Sequence, residues 1–349
     1  MNFKSVEIKE FREFRGLLID VRSPDEYYKG HMPNSINIPL FNNDERAYIG
    51  KKYKNAGRKK AVIEGLKIVE KKIDKLLDDI ISAEKKYSEI DRKIDKNIRN
   101  LRIYCARGGM RSLSIQWLFD KFNFQSITLK GGYKSYRRWV FSNFTGKKSI
   151  TLIGGKTGTG KTNILKKMQS QYHQVIDLEF LANHRGSTFG GLGMGNQPTN
   201  EQFENLLAEQ LEMFDLKKSI YVEAESGNIG KCRIPFEFFK QMKISPRIEI
   251  IKNKETRINE LIKTYSIFPK EELKNSVNRI AKRLGPQRTK KAIESINSEN
   301  WNGVCQSVLE YYDKCYEYGL NDQNKLTVID MTGKNDNEII EEIIKNTIK

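Results

Sequence analysis

Two glycine-bearing loops, Cys105-Ala-Arg-Gly-Gly-Met-Arg111 and Gly155-Lys-Thr-Gly-Thr-Gly160-Lys161-Thr162, each follow an apolar run in a chain of 349 residues. An apolar run that ends in such a loop and continues as a helix is the βα unit from which parallel sheets are built. The chain is therefore constrained to an α/β fold twice over. Its length also exceeds the ~250–300 residues at which a single core splits, so two domains are expected.

Further apolar runs fill in the two sheets. Residues 16–21, 35–40, 101–105 and 124–129 read as the strands of a first domain, and 149–153, 175–178, 219–223 and 248–251 as those of a second. Mostly helical sequence follows over 255–318. The boundary is placed between 1–145 and 146–349. Within the first domain a Lys- and Glu-rich insertion, about 44–99, carries apolar residues at Val62, Leu66, Val69, Ile73, Leu76, Ile80, Ala83, Tyr87, Ile90 and Ile94. Their 4-3 spacing predicts one long helix or a helical hairpin: a scaffold packed on another element, a tRNA-facing arm or a dimer seam.

Lys and Arg number 62 against 44 Asp and Glu, a net charge of +18, which favours a polyanionic partner unless it is simply the habit of a lysine-rich proteome. No apolar N-terminal segment reads as a leader, and no run reaches the ~18 residues of a membrane span, so a cytoplasmic protein with no membrane partner is expected. Four cysteines without Cys-x-x-Cys pairing fit a reduced compartment and no structural zinc. Metal ligation by His31, His173 and His184 has no supporting spacing.

The chemistry of each loop follows from its residues. A thiol reacts as its thiolate, which needs positive potential; backbone N–H groups, a helix N-terminus, Arg107 and Arg111 could supply it to Cys105. A small cysteine buried at a strand end is the plainer reading. In the second loop, Gly155, Gly158 and Gly160 would let N–H groups approach phosphate oxygens. Lys161 would neutralise them, and Thr162 would ligate Mg²⁺. Glu223, ending a later strand, could act through the same ion or be an ordinary strand end. The ligand itself stays open among a nucleotide, a diphosphate ester and an RNA backbone.

The segment Leu18-Ile-Asp-Val-Arg-Ser-Pro-Asp-Glu-Tyr-Tyr-Lys-Gly-His-Met-Pro-Asn-Ser-Ile-Asn-Ile-Pro39 resembles rhodanese-like domains, and the resemblance spans about the first 145 residues. It implies a rhodanese-like parallel-sheet domain whose Cys105 carries sulfur or selenium. Arg111 lies six positions after Cys105, a loop length like that of the rhodanese-fold phosphatases, which suits a phosphate-bearing donor such as selenophosphate. After this domain come Gly-Gly-Tyr133-Lys134-Ser-Tyr136-Arg137-Arg138, the P-loop, Leu181-Ala-Asn-His184-Arg185-Gly-Ser187-Thr-Phe-Gly190 and Glu223-Ala-Glu-Ser226.

In that order the motifs resemble the tRNA 2-selenouridine synthase family. The resemblance implies a transferase acting on 2-thiouridine at wobble position 34 in the anticodon loops of tRNAs for Lys, Glu and Gln. The sulfur is geranylated with geranyl diphosphate, and the S-geranyl group is then replaced by selenium from selenophosphate through Cys105. Both donors are co-substrates, Mg²⁺ is a companion ion through Thr162 and Glu223, and selenophosphate synthetase is a further candidate partner of a monomeric enzyme. One departure is Tyr312-Asp-Lys-Cys315, where the family has an Asp-Pro pair; it puts the local turn in doubt.

Several residues keep two readings. Tyr133, Lys134, Arg137 and Arg138, with Tyr136 and Trp139, read as an RNA clamp or as the packed face of a helix. His184, Arg185 and Ser187 read as a loop for diphosphate or tRNA, or as a structural turn. Arg283 and Arg288 read as an anion-binding lid or a solvated helix end. The rival for the whole chain is a P-loop kinase or ATPase regulated by a sulfur-binding rhodanese domain. An RNA-binding module with relic loops and a cysteine phosphatase are the further rivals.

Overall fold

A computed structural model describes residues 4–90, 100–320 and 326–347. The chain divides into two compact units, Met1–Asn143 and Phe144–Lys349. Each holds one five-stranded parallel sheet with helices on its faces, an α/β architecture in both halves.

In the first unit the strands are β1 (Ser5–Val6), β2 (Leu17–Asp20), β3 (Ile36–Asn37), β4 (Asn100–Tyr104) and β5 (Gln125–Leu129), in the order β1-β5-β4-β2-β3. β2 is buried at all four positions, as a strand covered on both faces must be. Leu17, Ile19, Leu101 and Ile103 form one apolar layer with Phe119 from the helix Met110–Asp120. The chain leaves β2 toward β3 on one side and β4 toward β5 on the other. The crevice between the carboxyl ends of β2 and β4 is thus the switch point at which parallel sheets hold ligands. Cys105 follows β4 there.

The insertion forms a helical hairpin. Its first helix, Asn43–Glu70, starts at a capping box in which Asn42 and Glu45 exchange side-chain-to-backbone hydrogen bonds, and Gly57, at φ 81°, breaks it. Its second helix is Ile73–Ile90. The 4-3 run crosses the turn between the two helices, so one phase cannot serve both: Ala61 and Gly65 turn inward, and Leu66, expected inside, is exposed. Leu76 and Ile80 are buried in the same apolar layer as β2 and β4, which makes the insertion a scaffold on the sheet. Ile94 and the rest of 91–99 lie outside the described residues.

The second unit contains β6 (Ile150–Gly154), β7 (Gln174–Ile176), β8 (Ile220–Glu223), β11 (Arg247–Ile251) and β12 (Leu326–Asp330), ordered β12-β11-β6-β8-β7 and all parallel. A small antiparallel pair, β9 (Asn228–Ile229) with β10 (Cys232–Arg233), branches from the end of β8. β6 is central and wholly buried, so the loop after it leaves from the middle of the sheet. The helices Lys254–Tyr265, Lys270–Arg279, Pro286–Asn297 and Trp301–Leu320 share a separate apolar cluster that includes Leu273, Val304 and Val308. The last of them runs unbroken through Asp313 and Lys314, so the missing proline is accompanied by continuous helix.

β1, β12 and the β9–β10 pair are the elements sequence patterning missed. β1, β9 and β10 have two residues each, too few for a period, and exposed positions interrupt β12.

Candidate functional site

The cysteine loop is built around backbone contact. Cys105 Sγ accepts the Gly109 N–H at 3.3 Å and lies 3.3 Å from Ser112 Oγ. Gly109 caps the helix Met110–Asp120, so the sulfur sits at a helix N-terminus with a donor aimed at it. The loop is clamped from behind: Tyr133 N–H donates to the Cys105 carbonyl at 2.8 Å and Lys134 N–H to that of Ala106 at 3.1 Å. A Cβ at Gly132 would stand 2.2 Å from Cys105 O, and one at Gly108 would stand 2.4 Å from Leu129 O. Both glycines also have φ near +60°, so two independent constraints demand glycine.

Charge is organised around this loop by two ion pairs. Arg22 forks onto Asp20 with hydrogen bonds of 2.6 and 3.0 Å and lies 3.8 Å over the Tyr133 ring. Arg111 donates to Glu26 at 2.7 Å. Burial works against the Glu26 carboxylate, but Arg111 outweighs it and holds that carboxyl down at about 2. The Arg111 pKa is raised in turn: burial opposes its charge, and Glu26, with a smaller contribution from Cys105, prevails. Arg107 is exposed at the loop tip.

The helix Gly132–Thr145 separates its residues by exposure. Tyr133 and Tyr136 are buried and stack in series with Tyr104 and Trp139, at centroid separations of 6.2, 5.8 and 5.4 Å. Packing is therefore what occupies Tyr133 and Tyr136, because their faces are taken by neighbouring rings and by Arg22. Arg137 lies over Phe141, while Lys134 and Arg138 point outward.

The phosphate loop spans the turn from β6 to the helix Lys161–Ser170. Gly158 and Gly160 have φ of 83° and 90°. A Cβ on Gly158 would meet Arg257 O at 2.8 Å, whereas none lies near that of Gly160. Lys161 Nζ donates to Gly155 O at 2.7 Å and stands 3.9 Å from Glu223 Oε1. Thr162 is half-buried in the first turn of the helix.

Remote side chains hold this loop. Arg257 donates to Thr157 O at 2.8 Å and to Asp313 at 2.9 Å. Tyr316 Oη accepts the Gly155 N–H and donates to Glu249 at 2.7 Å. Of these four residues only Asp313 stood in a segment marked by sequence, and for its missing proline rather than for this contact. They stand 56 to 161 positions from their partners, with no local pattern to flag them.

Glu223 is joined by two further acids. Ligand oxygens of Glu179, Glu223 and Glu225 lie within 4.8 Å of one another, with Glu223 buried and the others half-buried. Burial and mutual repulsion raise the Glu179 and Glu223 carboxyl pKa values; burial also raises that of Glu225, and Lys161 opposes the rise at all three. Among the described residues, Glu223 Oε2, Thr159 Oγ1 and His184 Nδ1 are buried atoms with no hydrogen-bond partner. Three carboxylates with an unpartnered oxygen form a donor set suited to a hard divalent cation such as Mg²⁺. Glu179 was not anticipated. Its faint signal is that Asp177-x-Glu179 follows β7, at the start of the helix Leu178–Ala182, much as Glu223-x-Glu225 closes β8.

The His184-Arg185-Gly186-Ser187 loop lies against these acids: a Cβ on Gly186 would stand 2.9 Å from both Glu179 Oε1 and Glu225 Oε2. Arg185 donates to Leu192 O at 2.9 Å, and burial lowers the His184 pKa. Ser187 exchanges side-chain hydrogen bonds with Tyr265 and Tyr312. The fold thus gathers Lys161, Glu223 and the 184–187 loop into one place. Arg283 and Arg288 instead engage Tyr311 and Glu310 of the helix Trp301–Leu320.

Comparison with known proteins gives concordant matches. The profile of the tRNA 2-selenouridine synthase AAA domain matches residues 148–347, and that of the rhodanese-like domain matches residues 6–138. A tRNA 2-selenouridine synthase of Nitrosomonas europaea is 35% identical over 71% of this chain and 63% of its own length. The chain therefore spans under two thirds of that relative. Those of Sulfurovum sp. and Hydrogenovibrio crunogenus are each 32% identical, covering 89% and 91% of this chain and 92% of each relative.

Proposed function

Because the chain belongs to the tRNA 2-selenouridine synthase family, we propose that it replaces sulfur by selenium in 2-thiouridine at wobble position 34 of tRNAs for Lys, Glu and Gln. The reading is carried by one observation: a thiol cradled at a helix N-terminus and a phosphate loop lined by carboxylates occur in a single chain.

In the first step the base sulfur attacks C1 of geranyl diphosphate, the C–O bond breaks and diphosphate leaves. Lys161 and the N–H groups of the loop take up charge that grows on the leaving group, which is where electrostatic help is most effective. Mg²⁺ would be held by Thr162 and Glu223, with Glu179 and Glu225 beside them, and would supply further charge neutralisation when bound. Alkylation turns the thiocarbonyl into a thiolate leaving group. In the second step selenophosphate, held at the Cys105 loop, attacks C2 through its selenium and the geranyl thiolate departs; water then attacks phosphorus, the P–Se bond breaks, and phosphate leaves the selenium on the base. Arg107 and Arg111 favour the anionic sulfur and selenium species. An anticodon loop presents the base unstacked, and Lys134 and Arg138 offer exposed positive charge to its backbone.

The test is mass analysis of thiolated tRNA incubated with the protein, geranyl diphosphate, selenophosphate and Mg²⁺. Cys105→Ser is expected to accumulate geranylated tRNA without selenium, and Lys161→Ala to leave the thiolated base largely untouched. Vigorous ATP hydrolysis with unmodified tRNA would replace this reading by the regulated kinase or ATPase.

A further inference from the structure

Beside the phosphate loop the second unit contains a cavity of about 560 Å³ of empty space, its mouth included. Thr157 of the phosphate loop, Ser187 of the 184–187 loop and Ser266 belong to its wall, and most of the remainder is apolar, including Leu261, Trp301, Val304 and Val308. Two tyrosines in the wall do not make it polar. The Tyr312 hydroxyl accepts the Thr188 N–H at 3.2 Å and bonds Ser187, and Tyr265 also bonds Ser187, so both polar ends are tied to the loop and the rings complete an apolar lining.

We propose that this cavity seats the hydrocarbon tail of the prenyl diphosphate, with the diphosphate on the phosphate loop, and that Val308 and Val304 set the chain length accepted. The choice of ligand rests on the function proposed above; the placement rests on the helix Trp301–Leu320. Val304, Val308, Tyr312 and Tyr316 follow one another at intervals of four and so form one ridge. The first three line the cavity, and the fourth bonds Gly155 of the phosphate loop. A single helix face therefore runs from an anion-binding end to an apolar end. From Tyr312 to Val304 it covers about 12 Å at ~1.5 Å per residue, a span suited to an extended ten-carbon chain. Arg257 fixes the joint between these ends, because it holds Thr157 and Asp313 together.

Cys305 also lines the cavity and provides a probe in the unaltered protein. Alkylation of Cys305, followed by peptide mass mapping, is expected to slow several-fold with geranyl diphosphate and not with inorganic diphosphate, while the exposed Cys315 reacts at an unchanged rate. In parallel, calorimetry is expected to show geranyl diphosphate binding on the order of a hundred-fold more tightly than inorganic diphosphate. Val308→Trp should reduce geranyl diphosphate to the affinity of the five-carbon dimethylallyl diphosphate and leave inorganic diphosphate within about two-fold. Equal Cys305 reactivity with and without geranyl diphosphate overturns the assignment, as does undiminished geranyl diphosphate binding by a folded Val308→Trp variant. If the wild type geranylates tRNA while Cys305 is unprotected, only the cavity assignment falls. If Cys305 is protected but thiolated tRNA is never alkylated, the proposed function falls and the cavity assignment stands.

Discussion

The two loops look alike in sequence, each a strand end, a cluster of glycines and a helix, but they are held in different ways. The cysteine loop is fixed by backbone: Gly108 and Gly132 touch main-chain atoms with no room for a methyl group, and Tyr133 and Lys134 N–H groups tie down its carbonyls. The phosphate loop also crowds main-chain oxygens at Gly155 and Gly158, but it is tied by side chains from far along the chain, Arg257 and Tyr316, and its Gly160 has open space around it. Under the proposed function, a thiol that handles selenium needs one fixed position. A loop that takes up and releases a diphosphate suits supports that can adjust.

The sharpest test of that contrast compares two glycines. Gly132→Ala is expected to cost more than about 4 kcal/mol or abolish folding of the first unit, because backbone cannot retreat. Gly160→Ala should cost only about 1–2 kcal/mol, the strain of its positive φ. Urea unfolding checks both, and equal losses would erase the distinction. Next in size, Lys161→Ala should slow geranylation about 10²–10³-fold and spare selenation of tRNA that is already geranylated.

The acid cluster sharpens the comparison through pH. Carboxyls with raised pKa retain protons near neutrality, and a cation must displace them. Mg²⁺ affinity should therefore climb with pH, up to about ten-fold per unit for each proton released. Calorimetry in two buffers of different ionisation enthalpy counts the protons. Stability runs the other way: these carboxyls favour the folded state at low pH and withdraw that contribution as pH rises from the ordinary carboxylate range through their raised values. Glu26 has the opposite sign, since its contribution is present above the ordinary carboxylate range and fades as pH falls toward about 2.

A smaller effect is expected from Tyr316→Phe, which leaves the Gly155 N–H without its partner and should weaken diphosphate binding about ten-fold with no change at Cys105. The smallest belongs to Lys134→Ala and Arg138→Ala. Each should reduce the salt slope of tRNA binding by about 0.7, measured by titration at several salt concentrations.

What could be read before the fold was seen follows the same division. Both loops, the buried strands that lead into them and the hairpin insertion leave periodic or glycine signatures over a few residues, and the structure has them at those positions. Leu66 was misplaced because periodicity carries no phase across the turn that separates the helix Asn43–Glu70 from Ile73–Ile90. Arg257 and Tyr316 were invisible because a single side chain reaching across a sheet leaves no pattern near itself. Tyr133 was ambiguous for another reason: an aromatic beside arginines looks alike in sequence whether it meets a base or, as here, Arg22 and Tyr104.

The hairpin that interrupts the first sheet has a practical consequence. Leu76 and Ile80 share a core with Leu17, Ile19, Leu101 and Ile103, so this hairpin is a roof rather than an appendage. A chain trimmed of it, in search of a smaller selenium carrier, would open an oily sheet face to water and aggregate before its cysteine could be tested.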